Sequence, residues 1–148
     1  LARETYAALT DFGYLHDGDL ATIAAPLDFL GVNYYFPSRV RAAPHAQNDP
    51  ARRTADDLGT EEVISPDEER TAMGWPVEPA GLTQLLEWLR VTYPTLPPVY
   101  ITENGRACDG VVGPGGLVDD PARVRYIVGH IRSVIDAIDA GADVRGDV

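Results

Sequence analysis

The chain has 148 residues and a formal net charge of −11. With 45% hydrophobic and 24% charged residues, its composition is that of a globular protein with one core of ordinary size. The negative charge argues against nucleic acid and against an anionic membrane surface as partners, because both would repel the protein. We therefore expect no nucleic acid and no membrane partner, and a neutral small molecule as the ligand.

The start of the chain gives little information about localisation. Leu1 stands where an initiator methionine would be, and neither a basic leader nor an apolar run of membrane-spanning length follows it. We interpret this start as a position inside a longer protein. Cys108 is the only cysteine, which excludes an intrachain disulfide and favours a reducing compartment. The expected location is the cytoplasm.

The first half of the chain predicts helices, one strand and a long loop. Residues 1–9 and 17–24 have helical composition. The apolar, aromatic and β-branched run 27–35 predicts a strand that is covered on both faces. Residues 37–75 are rich in Ala, Asp, Glu, Arg and Pro, which predicts a loop of functional length.

The next part predicts a helix, a strand and a second loop. The apolar run at residues 99–102 predicts a buried strand. The glycine-rich residues 105–116 predict the loop that follows this strand. Before this strand, four leucines recur at the spacing of one helical face, which predicts a helix over 79–92 with these residues buried: Leu82, Leu85, Leu86 and Leu89.

The last helix has the clearest boundaries. Asp120 suits the N-cap, Pro121 the first helical position and Gly141 the residue that ends the helix. Residues 143–146 then begin another strand, so that the order of elements predicts an α/β protein with a parallel sheet. The apolar residues of this helix lie on one face: Val124, Ile127, Val128, Ile131, Val134, Ile135 and Ile138.

Three motifs occur in a specific order: Asp-Phe-Leu-Gly-Val-Asn-Tyr-Tyr at 28–35, Met-Gly-Trp at 73–75 and Tyr-Ile-Thr-Glu-Asn-Gly at 100–105. Together with residues 120–130 and 141–146, they resemble glycoside hydrolase family 1, the β-glucosidase family. The resemblance implies a (β/α)8 TIM barrel, of which residues 1–148 would be the C-terminal third. That part would contain strands 6 and 7 and the start of strand 8, with residues 37–75 as a long βα loop.

The resemblance also implies roles for four residues. Glu103 would be the nucleophile of a retaining β-glycosidase, which hydrolyses terminal β-D-glycosides through a covalent glycosyl-enzyme without a metal or organic cofactor. A carboxylate suits this reaction because the transition state resembles an oxocarbenium ion. Tyr35 would donate a hydrogen bond to the nucleophile, and such a bond favours the charged form of a carboxylate. Trp75 would form a wall of the leaving-group site, and Asn33 would lie near the substrate.

The chain departs from the family pattern in two respects. It has no Asn-Glu-Pro segment, from which the family takes its general acid/base, although a retaining mechanism needs two carboxyl groups about 5–5.5 Å apart. We therefore expect the chain to be inactive alone, with the missing N-terminal part of the barrel as its partner. Arg106 follows the Glu-Asn-Gly motif where a small or apolar residue is usual, and we expect it to alter the mouth of the pocket.

Each of these residues also has a structural interpretation. Glu103 could be a solvated loop residue, and Tyr35 and Trp75 could be aromatic side chains that pack at the rim of the barrel. Two other functions remain open on the sequence alone. One is a non-catalytic barrel piece that binds a sugar or a partner chain, and the other is an unrelated α/β domain in which the order of the motifs is chance.

Other conspicuous residues are expected to be structural. The histidines at 16, 45 and 130 lack the spacing of metal ligands, and residues 110–116 lack the Lys and Ser/Thr of a phosphate loop. Tyr34 is expected to be an aromatic residue that packs at the rim of the barrel, and Trp88 to lie off the leucine face of its helix, either packed or exposed. Structural contacts are also expected for three residues of the last helix: Arg123, Tyr126 and His130.

Overall fold

The computed structural model describes residues 11–42, 60–63 and 65–147, so the helix expected over residues 1–9 lies outside the described part. No helix among the described residues is long and apolar enough to cross a membrane. The elements are α1 (Asp19–Ile23), β1 (Leu30–Asn33), β2 (Val40–Ala42), β3 (Thr60–Glu62), α2 (Ala80–Thr92), β4 (Val99–Glu103), a 3-10 turn (Pro114–Gly116), α3 (Pro121–Asp139) and β5 (Val144–Asp147).

A parallel three-stranded sheet is the centre of the fold. Its strand order is β1-β4-β5, with α2 in the connection from β1 to β4 and α3 in the connection from β4 to β5. Parallel strands need such crossovers, so the predicted α/β class is confirmed. The two helices pack on each other and on one face of the sheet, around a core of Val32, Tyr34, Leu82, Leu86, Val99, Ile101, Val134, Ala137 and Ala142.

The other face of the sheet is open in the described part of the chain. Phe29 and Tyr100 lie on it edge to face, with 5.5 Å between their ring centroids. Parallel sheets are normally covered on both faces, so this face is available for further elements or for a ligand. It bounds an open pocket of about 440 Å³ that is lined by Asp28, Phe29, Pro98, Tyr100, Thr102 and Arg145.

The predicted ends of the helices agree with the structure. Asp120 caps α3, since its Oδ1 accepts a hydrogen bond from the backbone N–H of Arg123 at 2.9 Å. Gly141 follows α3 with a φ of +96°, a conformation that favours glycine. In α2, Leu82 and Leu86 are fully buried, and the other two predicted leucines pack partly buried against the core.

The aliphatic face of α3 is not the face that packs on α2 and the sheet. Of the seven aliphatic residues, only Val134 is buried, because α3 packs on α2 and the sheet through a neighbouring face that consists of Tyr126, His130, Ser133, Val134 and Ala137. Thr83 of α2 donates a hydrogen bond across this contact to the backbone oxygen of Ser133 at 2.9 Å. Six aliphatic side chains stay exposed beside it: Val124, Ile127, Val128, Ile131, Ile135 and Ile138.

Residues 37–75 connect β1 to α2 as expected, but they are not only loop. β2 and β3 form an antiparallel pair, and Arg41 contacts its cross-strand partner Glu61 with 2.5 Å between Nε and Oε1. Every residue of both strands is exposed, so no apolar alternation in the sequence indicates them. Arg39 forms ion pairs with Glu68 and Glu78, which attach this segment to the start of α2.

Candidate active site

An extra residue at the end of β4 determines the direction of the Glu103 side chain. β1 and β4 pair in a regular register as far as Ile101. Asn33 then pairs with Glu103, so Thr102 has no partner on β1. Strict alternation would point Glu103 the same way as Ile101, which is fully buried against the helices. With the bulge, the carboxylate is exposed and lies against Tyr35.

Glu103 and Tyr35 form a short hydrogen bond, although they are 68 residues apart in the sequence. The Tyr35 hydroxyl donates to Oε2 of Glu103 at 2.5 Å. This bond is the largest cause of a raised pKa for Tyr35, so the hydroxyl keeps its proton and acts as the donor. The structure therefore brings together the two residues that the sequence analysis singled out as catalytic.

Trp75 extends this pair into an aromatic cluster. Its ring centroid lies 5.4 Å from that of Tyr35 and 5.1 Å from that of Phe36, and the side chain is partly buried. The sequence analysis did not include Phe36, although the aromatic run 34–36 is a signal for it. Glu103, Tyr35 and Trp75 thus form one continuous surface beyond the carboxyl ends of β1 and β4.

Asn33 lies at the end of β1 beside the same surface. Its side chain is exposed, and its Oδ1 accepts a hydrogen bond from the Thr102 hydroxyl at 2.7 Å. This bond determines the orientation of the carboxamide, with Nδ2 as its remaining polar group. Asn33 thus lies beside the cluster, and among the described residues its side chain bonds to Thr102 and not to the Glu103 carboxylate.

The turn that contains Trp75 is attached to the chain just after Glu103. Within the turn, the Thr71 hydroxyl accepts from the Trp75 N–H at 3.2 Å. The Ala72 N–H donates to the Ala107 oxygen at 3.1 Å, and the Arg106 guanidinium contacts Glu69 at 2.7 Å. The Arg106 side chain is only 7% exposed. The unusual arginine is thus a link between two loops at the edge of the cluster.

A second layer of contacts lies behind Tyr35. The Tyr126 hydroxyl of α3 donates to the Tyr35 backbone oxygen at 3.0 Å and accepts from Asn104 Nδ2 at 3.4 Å. Asn104 Nδ2 also donates to the Tyr34 backbone oxygen at 2.9 Å. The expectation that Tyr126 and His130 are structural is confirmed, since both are buried and their rings lie 3.9 Å apart. The hydrogen bond of Tyr126 to the backbone of the site residue Tyr35 was not predicted.

Two further observations complete the description of the site. Trp88 is 54% exposed and contacts Tyr93 edge to face, and it lines an open pocket together with Asn33 and Tyr35. Residues 11–42, 60–63 and 65–147 contain no group of three His, Cys, Asp or Glu side chains that is arranged to hold a metal ion. The candidate site is thus a carboxylate with a tyrosine donor and an aromatic wall.

Barrel enzymes place their catalytic residues at the carboxyl ends of parallel strands, and glycoside hydrolases use carboxylates for their chemistry. The sequence model of glycosyl hydrolase family 1 matches residues 3–148. The chain belongs to this family. Family membership excludes the interpretation as an unrelated α/β domain.

The relatives of this chain include two bacterial enzymes that are both named as β-glucosidases. The bifunctional β-D-glucosidase/β-D-fucosidase of Bifidobacterium breve is 38% identical over 144 residues, which are 93% of this chain and 31% of that enzyme. Thermostable β-glucosidase B of Thermobispora bispora is 45% identical over 133 residues, which are 88% of this chain and 26% of that enzyme. The chain thus spans less than a third of either relative.

Comparison with solved structures also finds enzymes of which this chain matches about 30%. The crystal structure of the AHE enzyme from Alicyclobacillus herbarius superposes with a TM-score of 0.81 at 35% identity, over 99% of this chain and 30% of that enzyme. The structural neighbours are TIM-barrel enzymes of family 1. The described sheet and helices therefore agree with part of such a barrel.

Proposed function

We propose that the complete protein to which this chain belongs is a retaining β-glycosidase and that Glu103 is its nucleophile. The observation that supports this role most strongly is the 2.5 Å hydrogen bond from Tyr35 to a carboxylate that the bulge turns to the open end of the sheet. We further propose that the chain is the C-terminal third of the barrel, with β1, β4 and β5 as strands 6, 7 and 8. The names of the relatives support a β-glucoside or β-fucoside substrate.

The proposed reaction has two steps. In the first, a Glu103 oxygen bonds to the anomeric carbon while the bond to the leaving oxygen breaks and an acid/base residue protonates that oxygen. In the second, the same residue takes a proton from water, which attacks the anomeric carbon and releases Glu103. Tyr35 stabilises the carboxylate before and after this cycle, because its hydroxyl is a donor at neutral pH.

Two further residues are proposed to contact the substrate. Trp75 would pack its indole ring against the leaving group, since sugar CH faces and aryl groups both pack well on indole. Asn33 would donate from Nδ2 to a sugar hydroxyl, because its Oδ1 is already bonded to Thr102. Both residues border the same open surface as Glu103.

The acid/base and the remaining strands are proposed to come from the rest of the barrel, which is the expected partner. Two features support this partner. One face of the sheet is open, and six aliphatic residues of α3 are exposed, and both surfaces are of the kind that another part of a protein normally covers. The cytoplasmic location and the absence of a cofactor remain predictions.

The nucleophile is tested in the complete protein with Glu103→Ala and an aryl β-glucoside. We expect turnover to fall by at least about 10³-fold, because the covalent step is lost. Added azide should restore activity and give the α-glycosyl azide, since it attacks from the face that Glu103 occupied. Glu62→Gln, which changes an exposed carboxylate of β3, is the control and should leave turnover unchanged. Full activity of Glu103→Ala, or a β-glycosyl azide product, would show that another residue is the nucleophile.

The alternative is a non-catalytic module that binds a sugar or a partner chain, and the absence of an Asn-Glu-Pro segment favours it. Two measurements on the purified 148-residue chain separate the hypotheses. Our proposal expects no hydrolysis by this chain alone and recovery of activity when the preceding barrel segments are added. Hydrolysis by the chain alone that Glu103→Gln abolishes would refute the expected inactivity. A monodisperse, compact monomer in size-exclusion chromatography that gains no activity would favour the binding module.

A further inference from the structure

We propose that Tyr126 is a positioning residue for the nucleophile. Its hydroxyl holds the backbone of Tyr35 and the residues after Glu103 in one arrangement, and thereby sets the contact between the Tyr35 hydroxyl and the Glu103 carboxylate. This inference rests on the proposed function of Glu103.

The backbone of Tyr35 lies beyond the part of the sheet that strand pairing holds. β1 ends at Asn33, and the last hydrogen bond between the two strand ends joins the Tyr34 N–H to the Glu103 oxygen at 2.9 Å. Tyr35 is in a bend after that point. The bond from the Tyr126 hydroxyl to the Tyr35 oxygen at 3.0 Å therefore supplies an attachment that the sheet does not.

The same hydroxyl also contacts the segment that follows β4. It accepts a hydrogen bond from Asn104 Nδ2 at 3.4 Å. Burial is the largest cause of a raised pKa for Tyr126, and the bond from Asn104 acts against this rise. The raised pKa means that the hydroxyl keeps the proton that it donates to Tyr35. One oxygen atom thus connects the segments that follow both strands.

The Tyr126 ring itself has a fixed position. It is 2% exposed and lies against the His130 ring, one helical turn further along α3. Tyr126→Phe therefore keeps the ring contact and removes only the hydrogen bonds of the hydroxyl. Without them, Tyr35 is free to shift relative to Glu103, and a displacement of about 1 Å in a catalytic arrangement lowers rate by up to about 10²-fold.

The test uses steady-state kinetics of the complete protein on an aryl β-glucoside. Because the Tyr126 hydroxyl bonds to the backbone of Tyr35, which positions the nucleophile, we expect Tyr126→Phe to lower kcat by about 10-fold to 100-fold and to change KM by less than about twofold. Tyr93→Phe removes the hydroxyl of a tyrosine at the opposite end of the strands and should leave both constants unchanged. An unchanged kcat in Tyr126→Phe would overturn the proposal.

A double-mutant cycle separates positioning from general loss of structure. If Tyr126 acts through Tyr35, adding Tyr126→Phe to Tyr35→Phe should lower kcat much less than it does in the wild-type background. Fully additive losses would overturn the proposal. Circular dichroism at the assay temperature gives the folded fraction to which kcat is normalised.

If Tyr126→Phe does not fold, Asn104→Ala removes a donor to the same hydroxyl and must show the same non-additivity with Tyr35→Phe. If the complete protein keeps its turnover after Glu103→Ala, the proposed role of Glu103 as nucleophile is refuted, whatever the effect of the Tyr126 variants.

Discussion

Gly81 lies in the first turn of α2 against the Tyr34 side chain, and Gly81→Ala tests how tightly this part of the core is packed. A Cβ at Gly81 would overlap the Tyr34 hydroxyl oxygen and lie 3.3 Å from both Tyr34 Cζ and Pro37 Cγ. The Tyr34 hydroxyl cannot move away without loss, because it donates to the Glu78 backbone oxygen at 2.7 Å and the side chain is 6% exposed.

Two effects of opposite sign determine the result. Alanine is better than glycine in a helix by about 1 kcal/mol. Overpacking of a filled core costs about 1–3 kcal/mol, and loss of the Tyr34 hydrogen bond costs about 1 kcal/mol more. We therefore expect Gly81→Ala to lower the free energy of unfolding by about 1–3 kcal/mol, although the same change stabilises most helices.

Equilibrium urea unfolding of the complete protein, followed by tryptophan fluorescence, measures this change. The control is the cycle with Tyr34→Phe, which removes the overlapping oxygen and leaves the ring carbon at 3.3 Å. In that background Gly81→Ala should cost about 1–2 kcal/mol less than in the wild type. A stabilisation of about 1 kcal/mol in both backgrounds would refute the packing argument, because helix propensity alone would then explain the result.

Two more substitutions test other parts of the structure. Arg106→Ala in the complete protein is expected to raise KM severalfold for aryl β-glycosides and much less for alkyl ones, because Arg106 links the Trp75 turn to the residues after Glu103; equal losses on both substrates would contradict this explanation. Asp120→Ala is expected to lower the Tm at pH 7 by a few degrees and Asp120→Asn by less, since asparagine can still cap α3. The backbone N–H of Arg123 is the main cause that lowers the pKa of Asp120 below its ordinary 3.8, so the stabilisation is complete above that value and is lost as pH falls through the lowered pKa. The Tm difference between Asp120→Ala and the wild type should thus shrink below about pH 4, and a difference that grows with acidity would contradict the assignment.

Features that depend on local chemistry were predictable from the sequence. The cap at Asp120, the end of α3 at Gly141 and the leucine face of α2 follow from hydrogen bonding, backbone freedom and helical spacing within a few residues. The buried face of α3 was not predictable in this way. The spacing of aliphatic residues identifies an apolar face of the helix, but it does not identify the element that packs on that face. In α3 the face that contacts α2 contains tyrosine, histidine and serine, and the aliphatic face lies beside it.

The candidate site was predictable only through the family resemblance, which singled out Glu103, Tyr35, Trp75 and Asn33. Spacing alone cannot pair residues that are 68 positions apart, because their contact depends on the parallel register of β1 with β4. The attachment to Tyr126 depends in addition on where the crossover helix passes behind the strands. Such contacts arise from tertiary packing and have no local sequence signal.

The bulge in β4 explains how two side-chain contacts form next to each other at the end of the sheet. Asn33 and Tyr35 are two positions apart on one strand and its extension, so both side chains face the same side. Their partners, Thr102 and Glu103, are consecutive, and consecutive residues of a regular strand face opposite sides. Both contacts can form only because the pairing shifts by one residue between Val32 and Asn33 on the neighbouring strand. The extra residue thus points the carboxylate to the open surface and lets Thr102 hold Asn33 beside it.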